Sequence, residues 1–180
     1  MLRPLLFVLS LFAYTLPTES QVIDRGPEFV YQPSATVKRV NDIAYANRET
    51  GDLKLDLYLP RGNWQEPHPG VIIVRGGGWT MGDKEGYAHL ANSLAEAGVA
   101  AASIEYRTSS DHPYPAAVHD ARDAIRWLRS EGGNYGINTE HVGVLGASAG
   151  GQIAILLGTT NDIIGNHDQA DAVVALAPVS

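Results

Sequence analysis

Short runs of apolar residues recur along the chain and predict its strands. The first two runs are residues 37–46 and 53–59, and the second alternates Leu with polar residues. This alternation predicts a strand with one covered face, and Thr50-Gly51-Asp52 predicts a hairpin turn between the two. Continuous apolar runs follow at residues 71–74, 99–104, 142–145 and 173–177. Unbroken runs of this length favour strands buried on both faces of a parallel sheet.

Helical patterns lie between the continuous runs. Residues 116–131 place six apolar side chains on one stripe of a helix, and residues 84–97 and 149–158 are also helix-like. The alternation of strands and helices predicts an α/β fold with a doubly wound, mostly parallel sheet. The apolar runs predict six strands in that sheet.

The first 36 residues differ from the rest. Residues 1–20 combine Arg3, an apolar stretch of 12 residues and the small residues Thr18 and Ser20, the pattern of a secretory signal peptide. A membrane anchor is the alternative, but 12 helical residues reach only about 18 Å of a ~30 Å hydrocarbon core. Residues 21–36 form a lead-in without periodicity. We therefore expect secretion or export to the periplasm, with one domain over residues 37–180.

Composition narrows the classes of function. The chain has 180 residues, of which 44% are hydrophobic and 18% are charged, as in an ordinary globular protein. Its formal net charge of −7, without a basic cluster, disfavours binding of nucleic acid. The sequence contains no Cys, which excludes a disulfide, a thiolate metal site and a cysteine nucleophile. No pair of His residues has metal-site spacing, so we expect neither a metal nor a cofactor.

The first turn with chemical potential is Gly146-Ala147-Ser148-Ala149-Gly150. It follows an apolar strand and opens a helix, which is the setting of a nucleophile elbow. Such a turn needs small residues two positions before and after the serine, and both are Gly here. It predicts Ser148 as a nucleophile, with the Ala149 amide directed at an oxyanion near the positive end of the helix. The alternative is a strand-to-helix turn that is rich in Gly only for packing.

The second turn is Arg75-Gly76-Gly77-Gly78-Trp79, directly after the strand at 71–74. Successive glycines let backbone N–H groups approach a ligand closely. The amides of Gly77 and Gly78 are therefore candidates, with that of Ala149, for an oxyanion hole. One such donor stabilises a transition state by about 2.7–4 kcal/mol.

Several motifs in order resemble one family, the α/β-hydrolase-fold serine esterases. The resemblance is to the hormone-sensitive-lipase-like branch, and within it to the bifunctional feruloyl and acetyl-xylan esterase type. It extends from about residue 38 to residue 180. The motifs are Arg75-Gly-Gly-Gly-Trp79, Gly82-Asp-Lys84, Tyr106-Arg107, the run from Tyr114 to Arg129, Tyr135-Gly-Ile137 and Gly146-Ala-Ser-Ala-Gly-Gly151. The resemblance implies a Ser148 nucleophile, an acyl-enzyme, the same three oxyanion donors, and acetyl or feruloyl esters of carbohydrates as substrates.

The chain departs from the family pattern in two places. Arg75 stands where the family usually has His, and its charged side chain could reshape the mouth of the pocket. Arg75 and Trp79 are accordingly candidate pocket residues. Only 32 residues follow Ser148, whereas the fold places the catalytic acid and then the His later in the chain. We therefore expect those two residues beyond position 180, in a missing part of roughly 100 residues. Three origins stay open: an interrupted gene, a fragment of a longer chain, and a separate C-terminal polypeptide that completes the fold.

A histidine within the chain could act as the base instead. His112 follows a strand at the predicted catalytic end of the sheet, and His89 and His119 lie in helices that begin there. His68, His141, His167 and Asp168 fall at the opposite end. Asp83, Asp120 and Asp123 are interpreted as caps and ion-pair partners. The last apolar run, 173–177, is expected to form an unpaired edge and to favour aggregation.

Two other functions stay open. Gly76, Gly78 and Gly82 follow a strand, and Glu105 ends the next one, so a dinucleotide-binding turn is a remote alternative. The bulky Trp79 and the unexplained motif around Ser148 disfavour it. The other alternative is a remnant that retains the fold and at most binds ligands. The substrate of the leading hypothesis is a small-molecule or polysaccharide-linked ester.

Overall fold

A computed structural model describes residues 35–62, 67–160 and 168–178. The predicted signal peptide and almost all of the lead-in, up to residue 34, lie outside the described residues. The described elements run in the order β1 Val37–Arg48, β2 Gly51–Pro60, β3 His68–Val74, a 3-10 helix Lys84–Tyr87, α1 Ala88–Glu96, β4 Ala100–Ile104, α2 Ala116–Glu131, a 3-10 helix Gly132–Tyr135, β5 Ile137–Ala147, α3 Ala149–Thr159 and β6 Ala172–Leu176.

The six strands form one mixed sheet in the order β1-β2-β4-β3-β5-β6. Strands β4, β3, β5 and β6 run parallel to one another, whereas β2 is antiparallel to both β1 and β4. This confirms the predicted doubly wound, mostly parallel sheet. Val74 pairs with Gly146, so the carboxyl ends of β3 and β5 lie side by side. Ligands of open α/β sheets bind outside such strand ends.

Helices cover both faces of the sheet and divide the core in two. The larger part packs α2 and α3 against alternate residues of the strands, including Ile72 and Val74 of β3. The smaller part packs α1 against the residues between them, such as Ile73. Because successive strand residues point to opposite faces, the unbroken apolar runs supply both layers.

Strand β2 differs from its prediction because both of its faces are covered. Leu55 and Leu57 face the larger core, but Asp56 and Tyr58 are also fully buried. Asp56 is buried with its charge because it binds three donors: the Asp42 amide at 2.9 Å, Arg39 at 2.7 Å and Lys84 at 3.1 Å. Burial by itself raises the pKa of the Asp56 carboxyl, but these three hydrogen bonds outweigh it and hold the pKa below its usual range.

The hairpin turn lies slightly earlier than predicted. Arg48 pairs with Gly51, so the loop consists of Glu49 and Thr50, and Gly51 is the first residue of β2. The φ of Gly51 is 113°, a conformation that residues with side chains rarely adopt, which explains the glycine at this position.

Strand β6 forms one edge of the described sheet, as predicted. Val173, Val174 and Leu176 are 38%, 48% and 49% exposed, so apolar side chains face solvent along it. It pairs with β5 from Gly143↔Ala172 to Ala147↔Leu176. The expected tendency of this edge to aggregate stays a prediction.

Candidate active site

Ser148 occupies a strained turn between β5 and α3. Its φ of 52° and ψ of −120° are unusual for a residue with a side chain, and such strain clusters at functional sites. The Ser148 amide donates to the carbonyl oxygen of Leu176 at 2.8 Å, and its own carbonyl accepts from the Gln152 amide at 3.1 Å. Both ends of the serine backbone are thus held in place, as a nucleophile elbow requires.

The two glycines of the elbow leave no room for a side chain. A Cβ added to Gly146 would lie 2.9 Å from the Gly151 nitrogen and closer to the Gly150 carbonyl. One added to Gly150 would overlap the carbonyl groups of Val74 and Arg75 at the end of β3. The start of α3 therefore lies directly against the turn that follows β3.

The glycine-rich turn after β3 contacts the elbow. A Cβ added to Gly76 would lie 2.9 Å from the Ala147 carbonyl oxygen and 3.4 Å from the Ser148 Cβ. The Gly76 amide donates to the Tyr87 hydroxyl at 3.2 Å, which fixes the start of the turn. Gly77 and Gly78 then have φ of 115° and 58°, and Trp79 also has a positive φ, of 62°.

Three amides at this junction have no acceptor within the described parts of the chain: those of Gly77, Gly78 and Ala149. Ala149 is the first residue of α3, where helix geometry leaves N–H groups without intrahelical partners. The structure thus brings the three candidate oxyanion donors and Ser148 to one place. Their catalytic roles stay predictions.

Arg75 is buried beneath this turn rather than in a pocket. It is 4% exposed, and its guanidinium stacks on the ring of Tyr106, 4.0 Å from the centroid. Its Nη atoms donate to the carbonyl oxygens of Met81 and of Tyr106, the latter at 3.2 Å. Burial raises the pKa of the Tyr106 hydroxyl, and the nearby Arg75 charge offsets this only in part. The hydroxyl stays protonated and donates to the Arg75 carbonyl at 3.1 Å.

A cavity of about 340 Å³ adjoins the first turns of α3 and α2. The described residues that line it carry no charged side chain: Trp79, Ser109, His112, Tyr114, Pro115, Ala117, Val118, Gln152 and Ile153. Trp79 is the candidate pocket residue that lies in this wall, whereas Arg75 is not among the lining residues. Gln152 follows Ser148 by four positions, so helical spacing alone could have indicated it.

The candidate bases lie in different surroundings. His112 lines the cavity, and its amide donates to the Thr108 carbonyl at 3.0 Å. His89 and His119 are exposed and are not among the lining residues. In the described part of the chain, the Ser148 hydroxyl makes no hydrogen bond to a side chain. His167 lies outside the described residues.

The aspartates act as caps and ion-pair partners, as interpreted from the sequence. Asp83 accepts from the Gly86 amide at 2.9 Å and caps the first 3-10 helix. Asp120 is fully buried on α2 and binds Arg48 and Arg107, the latter through both its side chain and its amide. Because Arg107 leads into the segment that lines the cavity, Asp120 anchors that segment.

Asp168 also serves as an ion-pair partner, at the far end of α3. It binds Arg122 at 3.1 Å. The same arginine donates to the Thr160 carbonyl at 2.7 Å, just beyond the last residue of α3. The helix between Thr160 and Ser148 separates this pair from the elbow.

The turn after β3 does not suit a dinucleotide. A dinucleotide fingerprint opens a helix directly, but α1 begins only at Ala88, ten residues after Gly78. The Glu105 carboxylate, proposed for a ribose, accepts from the Lys54 amide at 3.1 Å. Both observations favour the esterase interpretation of the glycines.

The BD-FAE family profile matches residues 55–175, which is most of the described part of the chain. The chain belongs to the BD-FAE family. Solved structures agree on an α/β-hydrolase fold. Esterase 2 of Thermogutta terrifontis is 26% identical with a TM-score of 0.68, covering 83% of this chain and 60% of that one. A truncated form of a carbohydrate esterase from gut microbiota is 27% identical with a TM-score of 0.65, covering 79% and 58%.

Curated relatives of this BD-FAE family chain include esterases. Esterase LipC of Mycobacterium tuberculosis is 36% identical over 111 residues, which are 60% of this chain and 27% of LipC. The ethyl acetate hydrolase of Pseudomonas putida is 30% identical over 120 residues, 66% of this chain and 38% of that enzyme. The matched region thus spans between about a quarter and two fifths of these relatives.

Proposed function

We propose that this chain carries the nucleophile and the oxyanion hole of a serine carboxylic ester hydrolase. The observation that carries the proposal is the strained Ser148 in contact with a turn in which the Gly77 and Gly78 amides have no acceptor among the described residues. Backbone donors held in this way need no reorganisation when negative charge develops. The named esterases among the relatives support the same class of reaction.

The reaction begins when the Ser148 Oγ attacks the ester carbonyl carbon. A bond forms between the two atoms, the proton of Oγ passes to a general base, and the carbonyl oxygen becomes an oxyanion. The amides of Ala149, Gly77 and Gly78 bind that oxyanion. Collapse of the intermediate breaks the bond to the alcohol oxygen. The alcohol leaves with the proton that the base had accepted, and an acyl-serine remains. Attack by water on the acyl-serine then releases the acid.

Two sources of the base are compatible with the structure. One is His112, which shares the cavity with Gln152 from the helix that Ser148 opens. The other is a histidine outside the 180 residues, as the family resemblance implies. If neither reaches Ser148, the chain is a remnant that at most binds ligands. The Ser148 hydroxyl makes no hydrogen bond to the described side chains, so this second candidate stays open beside the first.

The cavity wall supports an uncharged ester as substrate. Its lining is aromatic and aliphatic with a few polar side chains, among them Ser109, His112 and Gln152. Pockets of this kind orient small ligands through a few polar atoms in an apolar wall. Acetyl or feruloyl esters of carbohydrates fit this description, and a carbohydrate esterase is among the structural neighbours. We further propose export, which the signal-peptide pattern of residues 1–20 supports.

Hydrolysis of p-nitrophenyl acetate by the purified chain tests the proposal. We expect turnover that Ser148→Ala abolishes and that Ser93→Ala, an exposed serine on α1 outside the cavity wall, retains. Loss of about 10²- to 10⁴-fold in His112→Ala would assign that residue as the base. An unchanged rate there would place the base elsewhere.

Covalent labelling separates the nucleophile from the complete reaction. Esterase 2 of Thermogutta terrifontis has been solved phosphorylated by paraoxon, so paraoxon is a suitable probe. We expect the added phosphoryl mass on the peptide that contains Ser148. Labelling without turnover would show a competent nucleophile whose acyl-enzyme is not hydrolysed. If a folded sample showed no labelling and no turnover, the result would support the remnant.

A further inference from the structure

The guanidinium of Arg75 holds the turn that carries Gly77 and Gly78 from below. Its Nη1 donates to the carbonyl of Met81, the last residue of the turn, and makes a longer contact of 3.4 Å with the Gly76 carbonyl. Its Nη2 donates to the carbonyl of Tyr106. One side chain thus joins both ends of the glycine turn to Tyr106, the second residue after β4.

Tyr106 completes the arrangement in the opposite direction. Its ring lies under the guanidinium, and its hydroxyl donates to the Arg75 carbonyl. The two residues therefore hold each other through two hydrogen bonds and one cation–π contact, all in a buried place where competition from water is small. Gly82 makes room for this arrangement, because a Cβ there would lie 3.3 Å from Nη1.

The carbonyl groups of the turn determine where its amides point. The amides of Thr80 and Met81 both donate to the Gly77 carbonyl at 3.1 Å, which fixes the direction of that carbonyl. In a planar trans peptide the N–H of the next residue points the opposite way. The orientation of the Gly78 N–H therefore depends on the closed turn, and Arg75 holds that turn closed at Met81.

We propose that Arg75 is a positioning residue for the oxyanion donors Gly77 and Gly78, acting through the Met81 carbonyl and the Tyr106 ring. The planar fork of the guanidinium reaches two carbonyl groups at once, which a Lys ammonium at the end of a flexible chain does not reproduce. The proposal rests on the proposed role of the two glycines as oxyanion donors. Its first test measures the turn itself and needs no turnover.

Amide hydrogen exchange of the full chain, read by mass spectrometry, tests the inference. We expect Arg75→Met to accelerate exchange in residues 76–82 by roughly 10- to 100-fold, the range for loss of hydrogen bonds to a charged group. Exchange in α2 should not change. The matched control is Arg122→Met, another buried arginine that binds a backbone carbonyl. It should accelerate exchange near Thr160 and leave residues 76–82 unchanged.

Two milder variants keep the test decisive if Arg75→Met does not fold. Arg75→Lys retains the charge, and Tyr106→Phe retains the ring but removes the hydrogen bond to the Arg75 carbonyl. Both should accelerate exchange in residues 76–82 by a smaller factor than the loss of the whole side chain. Unchanged exchange there in both variants, or an equal acceleration throughout the chain, would overturn the inference.

Kinetics distinguish a positioning role from a purely stabilising one, because the two roles differ in their effect on kcat and KM. With p-nitrophenyl acetate we expect Arg75→Lys to lower kcat by about tenfold or more with little change in KM, since the oxyanion exists only along the reaction. A raised KM with unchanged kcat would contradict the assignment. If the folded wild-type chain shows neither paraoxon labelling nor turnover, the proposed function fails, while the exchange result still decides whether Arg75 holds the turn.

Discussion

Replacement of Gly150 by alanine tests how tightly the elbow is built into the sheet. Gly150 is the second residue of α3 and lies against the end of β3. An added Cβ would lie 2.7 Å from the Val74 carbonyl carbon, and closer still to the carbonyl oxygens of Val74 and Arg75. Non-bonded heavy atoms pack best at about 3.5 Å or more, so helix and strand must separate by roughly 1 Å.

We expect this substitution to lower the free energy of unfolding by about 3 kcal/mol, the upper end for an overpacked core. The magnitude is large because the obstructing atoms belong to the backbone of a central strand and have no alternative rotamer. With a urea m-value of about 1–3 kcal/mol/M, the midpoint should fall by about 1–3 M. Urea unfolding followed by circular dichroism measures it.

Gly143→Ala is the matched control for this measurement. Gly143 lies within β5, and an added Cβ there would meet its nearest neighbours at an ordinary 3.7 Å. Alanine costs less backbone entropy than glycine in a strand, so we expect no loss, or a gain of up to about 1 kcal/mol. An unchanged midpoint for Gly150→Ala, or equal losses in the two variants, would refute the reasoning.

Two further predictions concern buried carboxylates. The folded-state pKa of Asp56 lies below its unfolded value, so its contribution to stability is complete above about pH 4 and is lost as the pH falls through the folded pKa. Asp56→Asn should therefore lower the free energy of unfolding by about 3 kcal/mol at pH 7. When both proteins are unfolded over a range of pH, the difference in free energy between them should narrow below about pH 4. A difference that stays constant with pH would contradict a lowered pKa for Asp56. Asp120→Ala should lower the free energy of unfolding by about 3 kcal/mol in urea unfolding, because it removes a fully buried carboxylate that binds Arg48 and Arg107. Asp123→Ala on the same helix, a more exposed partner, should cost about 1 kcal/mol or less, and similar losses would show that burial does not set the cost.

The sequence predicted the strands best where apolar residues are continuous, and less well at their polar ends. Strand β5 was predicted over residues 142–145 but extends from Ile137 to Ala147. Its first part pairs at Ile137, with His68, and the polar residues Asn138, Thr139 and Glu140 lie in an irregularity before pairing resumes at Val142. Hydrophobic runs identify the portion buried on both faces, whereas backbone pairing continues beyond it into partly exposed positions.

Helix patterns were informative for type and position, but not for geometry. Residues 116–131 coincide with α2, whereas the helix predicted from residue 84 begins with a 3-10 turn over Lys84–Tyr87. The Lys84 side chain is held by two aspartates and its carbonyl accepts from Ser103 at 2.7 Å. Such contacts from distant strands set the local geometry, and they leave no periodic signal in the sequence.

Part of the candidate site could be predicted from the sequence and part could not. The glycines and Ser148 could be found from local spacing, because a tight turn imposes its residue types on the sequence. The position of Arg75 could not, since its side chain is placed by Tyr106, which lies 31 residues further along the chain. A long side chain with several rotamers has no direction until its tertiary partners are known.

The hydrogen bond from the Ser148 amide to the Leu176 carbonyl has a mechanical consequence. A force applied to the edge strand β6 would be transmitted to the serine, because it would act on this hydrogen bond and on the helix beside it. A Cβ on Gly151 would lie 3.2 Å from the same carbonyl oxygen, so the strand and the helix are closely packed here. Attachment of the protein to a surface or a fusion partner near Leu176 would therefore apply force to the Ser148 backbone through this bond. A tether in the Glu49–Thr50 loop, at the opposite edge of the sheet, would not.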